Sequence, residues 1–264
     1  MKYLINNCPL IILGSIVLLL SGCHSLTSKI DTTFSPPENG RTVKISVDVP
    51  DIAELSPIEI MYRSNICLSN KVNGNKEKHV VAGYNYYIDT LKKESENSIY
   101  SIELPILGGG KCDWRLSNII LNLSLKRNNF FDKDITNSLG TGVLIIFDNN
   151  KPQRTVGNII DRNGDFDIYM DYFPWVSKLY KNNFRKNLWL YGKELNLYYK
   201  STDSNNILWK PIIHADIVVY SEYPAERKTK NVQRIFYYSD GTKEMTNRSK
   251  PDYKKLLSLI KPSS

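Results

Sequence analysis

Val43-Lys44-Ile45-Ser46-Val47-Asp48-Val49 alternates apolar and polar side chains at every step, and this two-residue period decides the fold class. In an extended strand successive side chains leave on opposite faces, so the four apolar residues share one side and Lys44, Ser46 and Asp48 the other. That is a strand with one face on a core and one in water. The habit recurs downstream. Tyr100, Ile102 and Leu104 alternate with Ser101 and Glu103, and Ile119, Leu121, Leu123 and Leu125 alternate with Asn122 and Ser124. Residues 58–63, 79–90 and 143–148 are further strand candidates. The turn clusters Asn73-Gly74-Asn75 and Gly108-Gly109-Gly110 separate them at the spacing of an all-β sandwich.

The second half uses a more aromatic vocabulary. Residues 167–172, 188–191, 195–199, 207–209 and 212–220 read as strands, and 234–238, turned by Ser239-Asp240-Gly241-Thr242, reads as a hairpin. One short helix closes the chain: Pro251 suits its first turn, and Tyr253, Leu256, Leu257 and Ile260 form a stripe ahead of Pro262. Residues 175–183 are a shorter helical candidate joining strands. The expected fold is mainly β, as two sandwich-like halves (42–148 with a disulfide, 149–264 ending in the helix) or as one elaborate antiparallel β domain.

Upstream of the strands the chain reads as an address. Lys2 precedes the apolar run from Leu10 to Leu20, the charged-then-apolar layout of a secretory signal too short to span a bilayer. The ending Leu20-Ser21-Gly22-Cys23 resembles the lipobox of bacterial lipoproteins, which implies cleavage after residue 22 and acylation of Cys23. Several acyl chains, each methylene contributing about 0.8 kcal/mol, hold a protein on a membrane durably. In such lipoproteins an aspartate after the cysteine favours the inner membrane. His24 stands there, so the expected location is the outer membrane, facing the periplasm. Residues 23–41, rich in Ser, Thr and Pro, read as a tether.

Loss of residues 1–22 removes one positive charge, Lys2, from a chain of net charge +8, leaving +7. In the periplasm such basicity is explained by simple solubility or, as a binding signal, points to acidic protein surfaces, anionic lipid or peptidoglycan carboxylates, and away from nucleic acid. Of the four cysteines, Cys8 leaves with the signal and Cys23 carries lipid. Cys67 and Cys112 remain as a pair in an oxidising compartment, where a disulfide is the expected state.

Catalytic and metal motifs are sparse, and the chain reads as a binding protein with no cofactor and no metal. Asp161-Arg162-Asn163-Gly164-Asp165-Phe166-Asp167 resembles a calcium loop in its spaced oxygens, but Phe166 stands where the loop glycine belongs and Tyr172 where its glutamate belongs. A turn leading into a strand explains the same residues. His214 and Asp216, two apart on an expected strand, would share a face, without a serine in a nucleophile-elbow context to activate. The most suggestive surface is the basic and aromatic set Lys178, Tyr180, Lys181, Phe184, Arg185 and Lys186, a composition found at protein interfaces. A solvated helix with docked aromatics is the alternative.

Taken together, the strand Ile58-Glu59-Ile60-Met61-Tyr62-Arg63-Ser64 before Cys67, the segment from Gly108 through Cys112 and Trp114 to Asn118, Tyr172-Phe173-Pro174-Trp175, and His214-Ala215-Asp216-Ile217-Val218-Val219-Tyr220 resemble a family of enterobacterial lipoproteins. The likeness covers most of the mature chain. It implies an association with type VI secretion gene clusters, where periplasmic lipoproteins act as immunity proteins against phospholipase effectors. The partner would then be a secreted phospholipase. A structural or assembly lipoprotein of the envelope is the second expectation, and an enzyme or glycan binder the third.

Overall fold

Nearly every alternating stretch becomes a strand. The computed structural model describes residues 30–95, 97–126, 135–150, 157–179, 185–223 and 233–261. The first part of the chain holds β1 (Thr42–Asp48), β2 (Ala53–Leu55), β3 (Ile58–Val72), β4 (Lys78–Asp89), β5 (Lys92–Lys93), β6 (Ile99–Pro105), β7 (Leu107–Gly109), β8 (Trp114–Leu125) and β9 (Ile135–Leu139). The second part holds β10 (Thr141–Ile146), β11 (Ile159–Asn163), β12 (Phe166–Leu179), β13 (Arg185–Tyr191), β14 (Asn196–Thr202), β15 (Asn206–Ile213), β16 (Val219–Glu222), β17 (Arg234–Tyr237), β18 (Lys243–Thr246) and the helix α1 (Tyr253–Ser258). The fold is mainly β, with two sheets and one short C-terminal helix.

One sheet runs β18-β17-β16-β12-β15-β1-β6-β5, with β13 beside β12 and β9 beside β13. The other runs β11-β14-β10-β8-β3-β4, with β2 and β7 beside β8. Their inner faces carry the side chains that the alternation marks as apolar. Val43, Ile45, Val47, Ile168 and Trp209 of the first sheet are buried, as are Ile58, Ile60, Ile119, Leu121 and Val143 of the second. Phe166 on β12 meets Tyr199 on β14 across the interface, with ring centroids 5.6 Å apart. Each such aliphatic residue, fully buried, contributes roughly 1.5–3 kcal/mol before entropy is charged against it.

The boundary expected between 148 and 149 does not divide the structure. Ile45 of β1 pairs antiparallel with Ile102 of β6 and parallel with Ile207 of β15. Likewise β10 lies antiparallel to β8 and parallel to β14. Each sheet is thus built from both halves, and residues 31–264 form one compact unit. The parallel pairs also make both sheets mixed, where a wholly antiparallel domain was the alternative expectation.

Residues 175–183 are not a helix as far as the described residues reach. β12 continues to Leu179 and forms a hairpin ladder with β13, Trp175 opposite Trp189. Residues 172–177 are all buried, so this central strand has both faces covered and shows no polar side to reveal its period. Pro174 sits where pairing with β15 ends at Tyr172 and pairing with β16 begins at Trp175, a place where a missing N–H costs no ladder bond on that side. The expected strand 212–220 is interrupted as well. β15 ends at Ile213, residues 214–218 turn, and β16 starts at Val219.

Part of the expected tether is docked. The carbonyl of Asp31 accepts from Trp114 Nε1 (3.1 Å), that of Thr32 from Asn85 Nδ2 (2.8 Å), and Ser35 N donates to the Gly108 carbonyl (2.9 Å). Phe34 packs edge-on to Tyr62, centroids 4.8 Å apart. Gly109, at φ +59°, makes room for this strap, since a Cβ there would stand 2.1 Å from the Ser35 carbonyl oxygen.

The helix α1 is capped by Asp252, whose carboxylate accepts from Lys254 N and Lys255 N. Leu256 is buried, and Tyr253, Leu259 and Ile260 pack beside it on Phe173, Trp175 and Phe236. Leu257, expected on that stripe, is 38% exposed. No helix among the described residues is long and apolar enough to cross a membrane.

Candidate functional site

The most exposed apolar surface belongs to the β3–β4 hairpin. β4 is the last strand of its sheet among the described residues, so one row of its backbone groups has no neighbouring strand there. Tyr84, Tyr86 and Ile88 stand opposite Arg63, Met61 and Glu59 on the outer face, exposed by 45%, 45% and 58%. Beyond Ser64 the register shifts, and the hairpin continues as a ribbon exposed on both faces, carrying Ile66, Leu68, Val72 and Val80. A long apolar edge of this kind invites another strand unless something covers it.

The ribbon is braced at its root. Cys67 and Cys112 form the expected disulfide, Cα atoms 5.3 Å apart, tying the irregular stretch of β3 to the turn before β8. Beside it the Ser64 hydroxyl donates to the Cys112 carbonyl and accepts from Ile66 N (3.1 Å) and Cys67 N (2.9 Å). These contacts fix the direction in which the ribbon leaves the sandwich. Its far end is basic: Lys71, Lys76 and Lys78 outnumber Glu77, which accepts from Asn73 Nδ2. Lys76 and Lys78 have no ion-pair partner among the described residues. The sequence shows this segment as an alternating strand, but its exposure depends on which strand lies at the sheet's edge.

Of the basic and aromatic set, Lys178 and Lys186 face each other across the β12–β13 ladder, and Lys178 lies 3.9 Å from Glu222. Arg185 is opposite Leu179 on the same ladder. Tyr180, Lys181 and Phe184 lie outside the described residues, as does Cys23. The described members of the set, Lys178, Arg185 and Lys186, therefore sit on the paired strands β12 and β13, not on a helical face.

His214 is oriented by a carboxylate other than the one expected. It lies in the turn after β15, with Nε2 2.7 Å from Asp171 Oδ1 and its ring stacked on Phe173 at 5.0 Å. Asp216 is two residues further round that turn and shares no strand face with it. Among the described residues no hydroxyl or thiol is hydrogen-bonded to the ring, so the pair has no nucleophile to activate.

Three carboxylates line an open cleft of about 490 Å³: Glu94, Asp165 and Asp167. Each is occupied. Lys44 and then Ser101 hold Glu94 below the usual carboxylate range, Tyr169 and Lys210 do so for Asp167, and the side chain and backbone N–H of Asn206 with Asn205 N do so for Asp165. A glycosidase acid must stay protonated near neutrality, which needs a raised pKa. None of these three supplies it. Asp161 and Asn163, of the calcium-like loop, lie on β11, while Asp165 ties the following turn to β15. Among the described residues no group of three His, Cys, Asp or Glu side chains could hold a metal ion.

The lowered carboxylates set a pH dependence. A folded pKa below the unfolded value of about 4 adds stability above that pH, which is lost as the pH falls through the folded value. Asp165 accepts from Asn205 N (2.6 Å), Asn206 N (2.8 Å) and Asn206 Nδ2 (2.8 Å). Asp165→Asn should melt below the wild type at pH 7, and thermal melts should show the gap closing below about pH 4 as the native carboxylate protonates. A gap that stays constant down to pH 2.5 would refute this linkage.

Comparison with protein-family models, curated proteins and solved structures gives no match to the chain.

Proposed function

We propose that this protein is a lipid-anchored periplasmic binding protein that captures another protein by accepting an extended segment against β4. The observation that carries the reading is the long edge of β4, unpaired among the described residues, flanked by exposed Tyr84, Tyr86 and Ile88 and braced by the Cys67–Cys112 disulfide. In strand addition the main chain supplies affinity and alternate side chains supply specificity. The excess of lysines at the ribbon's end favours an acidic partner segment and disfavours a second copy of this basic chain.

The resemblance to secretion-cluster lipoproteins gives that partner a class, a secreted phospholipase, and the function an object, immunity. Acylation at Cys23 on the periplasmic side of the outer membrane would raise the binder's concentration where a lipase meets its substrate. Cells lacking the gene should be killed by kin that deliver the effector. The wild-type gene should restore survival, and Cys23→Ala should restore it poorly and should no longer incorporate a palmitate analogue. Full resistance of the deletion strain would defeat the immunity reading.

A further inference from the structure

A second, smaller site lies on the other sheet, beside α1. Trp175, Trp189, Tyr191 and Leu195 line a slot of about 270 Å³ together with Arg234 and Lys250. That is about nine water volumes, room for one ring on a short stem. The walls are fixed. Trp175 and Trp189 stack with centroids 5.3 Å apart, and their indole N–H groups donate to Ser221 Oγ and Ser177 Oγ, each at 2.8 Å. Tyr191 meets the Trp175 ring edge-on at 5.7 Å. Both tryptophans have therefore satisfied their polar atoms and present apolar ring surface.

The cation is fixed as well. The Arg234 guanidinium lies over Tyr223 (4.5 Å), Trp175 (5.6 Å) and Phe236 (5.9 Å), and its Nη1 donates to the Ser249 carbonyl at 2.6 Å. Its Nε is buried and has no hydrogen-bond acceptor among the described residues. Nη2 makes no hydrogen bond to a described residue either, so the guanidinium keeps unused donors for a carboxylate in the slot that it lines. Among the described residues no Asp or Glu lines the slot, while Lys250 adds a second positive charge.

We propose that this slot binds a small apolar carboxylate, its ring or stem against Trp189 and Tyr191 and its carboxyl group on Arg234. The aromatic wall selects an apolar body, and the unused guanidinium donors select the anion. Two sources share that chemistry, a free aromatic acid and the carboxyl end of a polypeptide closing in an aromatic residue.

Calorimetric titration of residues 24–264, which hold the whole compact unit 31–264, tests it with four probes: phenylpropionate, phenylpropionamide, and a short peptide ending in phenylalanine with a free or an amidated carboxyl end. Phenylpropionate should bind at least tenfold more tightly than its neutral amide, and Arg234→Met should erase that preference. If the free-ended peptide outbinds phenylpropionate, and its amidated form does not, a polypeptide end is the natural occupant; the reverse order assigns a free acid. Equal binding of acid and amide to the wild type, or no binding of any probe, overturns the proposal. The acid–amide comparison uses the wild type alone, so it holds even if Arg234→Met fails to fold.

Discussion

Replacing Cys67 and Cys112 together by alanine should lower the unfolding free energy by about 4 kcal/mol and the melting temperature by roughly 10 °C. The bond spans 45 residues of sequence, and closing such a loop in the unfolded chain accounts for that amount on the chain-entropy model. Alanine is the better probe, because Cys112 is fully buried and a serine there would add a hydroxyl to desolvate. The effect should also be uneven. With the bond gone, the stretch Asn65, Ile66 and Cys67, which the register skips, is held by the Ser64 hydroxyl through the backbone N–H groups of Ile66 and Cys67, so hydrogen exchange should accelerate in the ribbon before it does in β8. A loss below about 1 kcal/mol would mean that the unfolded chain is already constrained near these cysteines, or that the ribbon needs no brace.

The second large effect concerns binding. Tyr84→Ser combined with Tyr86→Ser should weaken capture of the partner a hundredfold or more while leaving the melting temperature nearly unchanged. Interface tyrosines that act as anchors each contribute about 2 kcal/mol or more, whereas exposed substitutions on a folded protein usually stay within about 0.5 kcal/mol. Among the described residues Tyr86 makes an exposed hydrogen bond to Glu59, and Tyr84 meets only Lys71, through a cation contact and a long hydrogen bond from Nζ (3.4 Å), so little native stability depends on them. Neutralising Lys76 and Lys78 should act differently, slowing association and reducing its salt dependence with a smaller effect on dissociation. Undiminished binding by the tyrosine variant would move the interface away from β4.

Strand positions were legible in the sequence where one face meets water. Val43 to Val49 and Tyr100 to Leu104 show the two-residue period because Lys44, Ser46 and Glu103 are solvated or half-solvated opposite buried partners. The period vanished in Tyr172 to Ser177, buried on both sides, and a helix was the mistaken reading. The stretch around His214 looked like a strand because Ile213, Ile217 and Val219 are apolar, yet Ile217 is buried from within a turn. Pairing partners were not legible at all. The contact of β1 with β15 joins residues far apart in the chain and depends on how both sheets close together, which no local pattern encodes. The exposed edge of β4 follows from that closure, so the candidate binding surface lay beyond sequence reasoning even though His79 to Thr90 reads plainly as a strand. The disulfide could be read from the cysteine count and the expected compartment alone.

Hydrogen exchange on the purified protein, with and without its captured partner, reports whether the partner is held along β4. Binding by strand addition predicts new protection of alternate amides along β4, Lys78–Asp89, on the side away from β3, with little change in β13 or around the Arg234 slot. Protection that leaves β4 untouched and appears elsewhere would contradict the account.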